Sequence, residues 1–216
     1  MTGILFDLDG TLLNTLDDLM DGVNHVLTRF GYPTRSREEI RCFVGNGAAK
    51  LMQLAVPQGA DWQEPLEVFQ VYYREHCQIK TAPYPGIPEA LTALSKKYPL
   101  AIVSNKPDAA TKKLCAQYFP GIHARGEAPG CPRKPAADMV FAAMRDIGVD
   151  RCVYVGDSEV DVLTARNAGV PCLSVLWGFR DEHEIRAAGG NRFCETTDEL
   201  VNALENTIKE TKSNGQ

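Results

Sequence analysis

The chain is poor in the features that announce a membrane, a metal–thiolate centre or a polyanionic partner. No window approaches ~18 uninterrupted apolar residues, the length a bilayer-crossing helix needs, and the N-terminus lacks a basic region followed by a long apolar stretch. Neither export nor membrane spanning is therefore expected. The seven cysteines are an odd number and no two form a C-x-x-C pair, so neither a complete disulfide framework nor a zinc site is indicated. Reduced thiols in a cytosol fit that usage, and a cytoplasmic location is expected. Basic residues do not cluster beyond pairs such as Lys112-Lys113, and the net charge is −5, which leaves no electrostatic footprint for nucleic acid or an anionic membrane. An anionic small molecule must then be drawn by a local site. The four histidines, His25, His76, His123 and His183, lack metal-ligand spacing. Internal repeats and low-complexity segments are absent as well.

What is present reads as a soluble globular chain. Its 216 residues, 44% hydrophobic and 24% charged, suffice for one large domain, or one domain with a modest insertion. A short strand from Gly3 to Phe6 opens it. Helical spacing then takes over, with Leu16, Leu19, Met20, Val23, Leu27 and Phe30 forming the apolar stripe of one helix that Gly31 and Pro33 end. Ser36 and Glu39 make a capping-box pattern for a second helix, which Gly45-Asn46-Gly47 breaks. Ala48 to Ala55 resumes a helical pattern, and Leu66, Phe69, Tyr73 and His76 mark another helix before a proline-rich stretch at Pro83, Pro85 and Pro88. The expectation is a small all-helical cap over residues 15–82, inserted after the first strand into a core made of 1–14 and 83–216.

From Ala90 the pattern alternates. Leu100 to Val103, Cys152 to Val155 and Cys172 to Leu176 are short continuous apolar runs, suited to parallel strands covered on both faces. Helices are expected between them at about 87–97, 108–118, 136–147 and 160–168, with a last one near 198–208 and a polar tail over 209–216 that frays. Repeated βα units imply an α/β fold with a doubly wound parallel sheet.

In such sheets ligands bind beyond the carboxyl ends of the strands. The first apolar run ends in Asp7-Leu8-Asp9-Gly10-Thr11, the second in Ser104-Asn105-Lys106, and the third in Gly156-Asp157, with Asp161 four residues on. Singly, an Asp after a strand is ordinary turn or cap chemistry. Together, an acid pair, a hydroxyl and a second acid pair at equivalent strand ends point to one site. Two carboxylates that close repel unless a cation or a shared proton compensates, and hard oxygen ligands suit Mg²⁺ beside a phosphate.

With these motifs the chain resembles the haloacid dehalogenase superfamily, whose signature is D-x-D-G-T, then Ser or Thr, then Lys, then an acidic motif. The Lys is matched by Lys134 within Arg133-Lys134-Pro135, with Arg133 as the alternative, since Ala137 stands where relatives often carry a second proline. The early helical insertion is similar to the cap of the phosphoglycolate phosphatase branch. Val44-Gly45-Asn46-Gly47-Ala48 resembles that branch's substrate loop, and Leu176-Trp177-Gly178-Phe179-Arg180 resembles another recurring segment. The resemblance implies a Rossmann-like core and a Mg²⁺-dependent phosphatase acting on a small phosphorylated metabolite, 2-phosphoglycolate first. In that scheme Asp7 attacks phosphorus, Asp9 carries the proton, and Ser104 and Lys134 stabilise the phosphoryl group. Asp7, Asp9 (through its carbonyl), Asp157 and Asp161 make or support the metal site. Backbone amides around Leu8 to Thr11 could cradle the phosphoryl group, and Thr11, Gly45, Asn46, Gly47 and Asn105 are expected at the substrate. Sugar-phosphate or nucleotide phosphatase, a β-phosphoglucomutase-like phosphomutase and a non-catalytic phospholigand-binding module are the alternatives. Cys131, beside the lysine loop, is assigned no role.

Overall fold

The computed structural model describes residues 1–213. The chain opens with β1 (Thr2–Phe6) and the two-residue β2 (Leu13–Asn14). Four helices follow: α1 (Leu16–Arg29), α2 (Arg37–Phe43), α3 (Gly47–Ala55) and α4 (Gln63–His76). After β3 (Ala82–Pro83) come α5 (Ile87–Ser95), β4 (Leu100–Pro107), α6 (Asp108–Tyr118), β5 (His123–Glu127) and α7 (Asp138–Asp146). The rest is β6 (Arg151–Gly156), α8 (Glu159–Ala168), β7 (Cys172–Val175), α9 (Glu182–Ala187), β8 (Phe193–Cys194), a short 3₁₀ turn (Thr197–Glu199) and α10 (Leu200–Ser213).

The six longer-range strands form one parallel sheet in the order β5-β4-β1-β6-β7-β8. This is the doubly wound order in which the chain reverses direction beside β1, between β1 and β6, and the crevice outside that reversal is where such sheets bind ligands. Register brings the reactive ends level: Phe6 pairs with Ile102 on one side and Val155 on the other. Side chains alternate across the sheet. Leu5, Val103 and Tyr154 pack with Met139, Val140 and Ala143 of α7, whereas Ile4, Phe6, Ile102, Val153 and Val155 join a larger cluster that continues into the helices between β2 and β3.

That helical insertion follows the first strand, as the apolar spacing anticipates. α1 turns Leu16, Leu19, Val23, Val26 and Leu27 inward, and the Ser36–Glu39 capping box starts α2, with Glu39 N donating to Ser36 Oγ (3.2 Å) and Ser36 N to Glu39 Oε2 (2.7 Å). On either side of the insertion β2 and β3 pair antiparallel, Leu13 with Pro83 and Asn14 with Ala82. Asp18, buried in α1, accepts the amides of Lys80 and Thr81 and anchors the return segment.

Several elements differ from the sequence expectation. The edge strand β5 carries His123, Arg125 and Glu127, so no apolar run marks it; pairing with β4 makes it a strand. The two-residue strands β2, β3 and β8 and the six-residue α9 are too short to show a period. α10 continues to Ser213 where fraying from Lys209 was expected, and residues 214–216 of that tail lie outside the described residues. All seven cysteines are free thiols. Among the described residues no helix is long and apolar enough to cross a membrane.

Candidate active site

At the ends of β1, β4 and β6 lies a group of charges with few parallels elsewhere in the chain. Asp7, Asp157, Asp161 and Lys134 are all buried. One carboxylate oxygen from each of the three acids falls within 4.8 Å of the others. Lys134 Nζ sits 2.7 Å from Asp7 Oδ1, 2.8 Å from Asp161 Oδ1 and 3.1 Å from the Tyr154 hydroxyl. Arg133, the alternative at the sequence level, faces outward toward Glu127 at 3.7 Å. Of the three buried carboxylates, Asp7 and Asp161 share the Lys134 ammonium while Asp157 has only neutral hydrogen-bond donors, Thr11 Oγ1 and the Phe179 amide, so a surplus of negative charge is left in a medium where charge is costly.

The electrostatics follow from that imbalance. Burial pushes the Asp7 carboxyl well above its usual range; Lys134 pulls it down, while Asp161 and Asp157 push it further up. Asp157 is pushed up to about 7 by burial and by Asp161, against the Phe179 amide, the Thr11 hydroxyl and Arg180. Burial by itself would lower the Lys134 ammonium, but the carboxylates of Asp161 and Asp7 outweigh it and hold the lysine well above its ordinary value. A divalent cation bound by oxygen would remove the surplus, and the donor set is the hard, carboxylate-rich kind that Mg²⁺ accepts. Backbone packing has been shaped around these acids. A Cβ on Gly10, whose φ is +86°, would lie 2.3 Å from Asp157 Oδ2, and one on Gly178 would lie 2.3 Å from Asp157 Cβ. Both positions exclude any side chain.

Residues 4–175 match the haloacid dehalogenase-like hydrolase family. The chain belongs to it. It is 34% identical over 194 residues to a phosphoglycolate phosphatase of Mesorhizobium japonicum, covering 83% of this chain and 85% of that protein. It is 29% identical over 216 residues to one from Vibrio parahaemolyticus, covering 93% and 95%. A crystal structure from Lactobacillus delbrueckii subsp. bulgaricus superposes with a TM-score of 0.88 at 35% identity, covering 94% of this chain and 97% of that one. By this similarity the chain is an enzyme, a phosphoric monoester hydrolase.

The other residues expected at the site of this haloacid dehalogenase-like hydrolase take several positions. Asp9 meets Lys106, whose Nζ lies 2.9 Å from Oδ1 and 3.0 Å from Oδ2 of the carboxylate. Ser104 is buried, and its Oγ accepts the Lys106 amide at 3.2 Å. Thr11 and Asn105 are committed to protein groups. Thr11 Oγ1 donates to Asp157 Oδ1 (3.0 Å). Asn105 accepts the Lys134 amide (2.8 Å) and donates from Nδ2 to the carbonyls of Lys134 and Gly45, each at 3.0 Å. Thr11 thus steadies the Asp157 carboxylate and Asn105 the Lys134 main chain, with Asn105 also lining the cavity. Asp161 is also fully engaged: Oδ1 faces Lys134, and Oδ2 accepts the hydroxyl (2.7 Å) and amide (3.2 Å) of Ser158, the capping box of α8. Along the Asp7–Thr11 turn, the Gly10 amide is given to the Leu13 carbonyl at 2.9 Å and is removed from any phosphate cradle.

A cavity of about 50 Å³ separates these groups from the helical insertion. Asp7, Asp9, Ser104 and Lys134 border it below, and Gly45, Gly47, Leu51 and Phe69 above. Asn46, expected at the substrate with its two glycine neighbours, instead stands at the N-terminus of α3 outside the lining.

Four partners went unassigned in the sequence. Lys106 was visible beside Ser104, but only the fold brings it to Asp9 and to the Tyr73 hydroxyl at 2.9 Å. Burial works against the Lys106 charge, yet Asp9 and Tyr73 raise its pKa above the ordinary lysine range. Tyr154 reads as one more apolar strand residue until its hydroxyl meets Lys134. The Ser158–Asp161 spacing does carry a capping signal, S-x-x-D, that could have placed Ser158.

Proposed function

We propose that this hydrolase cleaves small phosphate monoesters through an aspartyl-phosphate on Asp7, with 2-phosphoglycolate the first substrate. The observation that carries this reading is the placement, around one small cavity, of two carboxylates with different partners: Asp7 against Lys134 and Asp9 against Lys106.

In this scheme the Asp7 carboxylate attacks phosphorus and the ester P–O bond breaks as the new P–O bond forms. Asp9 gives its proton to the departing alkoxide, then takes one from the water that hydrolyses the aspartyl-phosphate. Lys134 pulls the raised Asp7 carboxyl back towards its ionised form, and offers fixed positive charge to the phosphoryl oxygens, with the Ser104 hydroxyl beside it. Asp7 and Asp157, with the Asp9 carbonyl, would hold Mg²⁺, and Asp161 would keep the lysine in register. When bound, the ion neutralises phosphoryl charge that builds up in transfer.

Residues 15–82 act as a cap over a core of 1–14 and 83–216. The paired β2 and β3 segments supply the double crossing on which such a cap can turn. The small cavity, about 50 Å³ and bordered on the insertion side by Leu51 and Phe69, favours a small substrate. The curated relatives named above are phosphoglycolate phosphatases, which supports the same choice.

The test is a Mg²⁺-controlled comparison of kcat/KM for 2-phosphoglycolate, sugar phosphates and nucleoside monophosphates, with inorganic phosphate measured beside any isomerised sugar phosphate. The expected result is phosphate release, with 2-phosphoglycolate preferred. Isomerisation without release would make it a mutase instead. Asp7→Asn is expected to abolish turnover; turnover at the unaltered rate would remove the nucleophile.

A further inference from the structure

Arg180 lies five residues beyond β7, is 7% exposed and is spent almost entirely on the helical insertion. Its Nη1 donates to the Arg41 carbonyl (2.8 Å) and its Nη2 to the carbonyls of Val44 (2.7 Å) and Cys42 (3.3 Å). Nε donates to Glu159 Oε2 at 3.0 Å. The three carbonyls belong to the last turn of α2 and the residue that leaves it. The last carbonyls of a helix have no partner within it, and a cation there also faces the negative end of the helix dipole. Val44, the C-cap residue, gives its N–H to the Ile40 carbonyl and then runs out extended, with φ −72° and ψ 152°, directly into Gly45. The carbonyls of Arg41, Cys42 and Val44 are capped instead by a residue more than 130 positions later in the chain.

The residue before Arg180 faces the other way. The Phe179 amide donates to Asp157 Oδ2 at 2.7 Å, and Gly178 packs directly against that carboxylate. Glu159, which receives Arg180 Nε, follows Asp157 by two residues. A single short segment therefore grips the insertion with a side chain and the central acid of the site with a main-chain N–H. Asn105 repeats the device on the opposite side of the cavity, one amide holding both the Lys134 main chain and the Gly45 carbonyl.

We propose that Arg180 is a positioning residue that latches residues 41–44 onto the core and makes the closed insertion and a correctly held Asp157 one arrangement. The proposal rests on the phosphatase reading above for its kinetic consequence, but not for its structural one. With the insertion lifted, the guanidinium loses three carbonyl acceptors and α2 loses its cap. With the insertion seated, residues 178–180 are fixed from both sides. The loop over the cavity, Gly45 to Gly47, is then set by the core as much as by the insertion's own packing. Substrates whose reaction needs enclosure depend on that latch. An aryl phosphate with a good leaving group depends on it less.

The experiment compares wild type with Arg180→Ala and Arg180→Lys. Hydrogen exchange on the resting protein is read for the segment 40–47. The expected outcome is exchange at least tenfold faster there in both variants, with α1 and α4 unaltered, because a lysine cannot reach three carbonyls and Glu159 together. Unaltered exchange over 40–47 would overturn the latch whatever the activity shows, so this arm stands even if no phosphate ester is turned over. Should Arg180→Ala fail to fold, Arg180→Lys carries the same measurement.

In kinetics, kcat for 2-phosphoglycolate is expected to fall on the order of a hundredfold in Arg180→Ala, and at least ten times more than kcat for p-nitrophenyl phosphate. Arg180→Lys should recover less than a tenth of the lost rate. Equal losses on the two esters, or full recovery by lysine, would show a merely structural residue and refute the proposal. A wild type active on neither ester would count against the phosphatase reading alone.

Discussion

Replacing Lys134 by methionine isolates the charge balance of the site. Methionine keeps most of the volume of the lysine stem, so the cavity cost stays small and the loss is electrostatic. The ammonium removed has three partners, at 2.7 Å from Asp7, 2.8 Å from Asp161 and 3.1 Å from Tyr154. Taking one member from a buried ion pair leaves the other charge uncompensated, at about 3–5 kcal/mol. For a chain of this size each kcal/mol moves Tm by roughly 2–4 °C, so Lys134→Met should melt about 6–20 °C below wild type at pH 8 without divalent metal. Protonation relieves an orphaned carboxylate. Asp7, one of the two carboxylates orphaned, already has a raised pKa, so the deficit should shrink to a few degrees at pH 5.5. The double variant Lys134→Met/Asp161→Asn should recover at least half the loss, because it removes one of the stranded charges. Calorimetric or spectroscopic melts at the two pH values decide the matter. A deficit under about 2 °C at pH 8, or one equally large at pH 5.5, would refute the charge accounting.

Other outcomes follow from the same geometry. Carboxyls with folded pKa values above their unfolded ones are stabilising below the unfolded value and lose that contribution as pH rises through the folded value; for Asp157 that window runs from about 4 to about 7. Metal-free wild type should therefore lose stability across it, and Mg²⁺ should raise Tm more at pH 8 than at pH 5.5; an equal rise at both would count against metal binding by these acids. Gly178→Ala, whose Cβ would lie 2.3 Å from Asp157, should cost roughly 1–3 kcal/mol and weaken the Mg²⁺ response in the same melts, whereas retention of both would mean the segment shifts freely. Tyr73→Phe removes a hydroxyl that accepts from Lys106 at 2.9 Å and should cost about 1 kcal/mol by denaturant titration. Ser36→Ala breaks the α2 capping box, and a Tm drop of roughly 2–4 °C is expected, with no drop showing that the cap contributes nothing.

How much of this was legible before the fold was known depended on the range of the interaction. β1, β4, β6 and β7 were readable because strands covered on both faces must be apolar throughout, and that requirement is written locally. The edge strand β5 escaped because its neighbour and not its own composition makes it a strand. In the site, Asp7, Asp9, Ser104 and Asp157 could be found because each follows an apolar run, while the side-chain partners of Thr11 and Asn105 could not be read from their neighbours in sequence. Their partners, Asp157 and Lys134, stand 146 and 29 residues away.

The sequence alone determined the parallel sheet, the helical insertion after its first strand, and which strand ends carry acids, since each depends on apolar spacing and short-range turn and cap chemistry. Tertiary structure alone decided that Asp7 and Asp161 share the ammonium of Lys134 beside Asp157, that Asp9 is held by Lys106, itself bonded to Tyr73, and that Arg180 caps a helix far upstream. Those pairings depend on which chain segments the sheet order and the insertion bring within 3 Å or so, a distance that hydrogen bonds and ion pairs require and that no local pattern encodes.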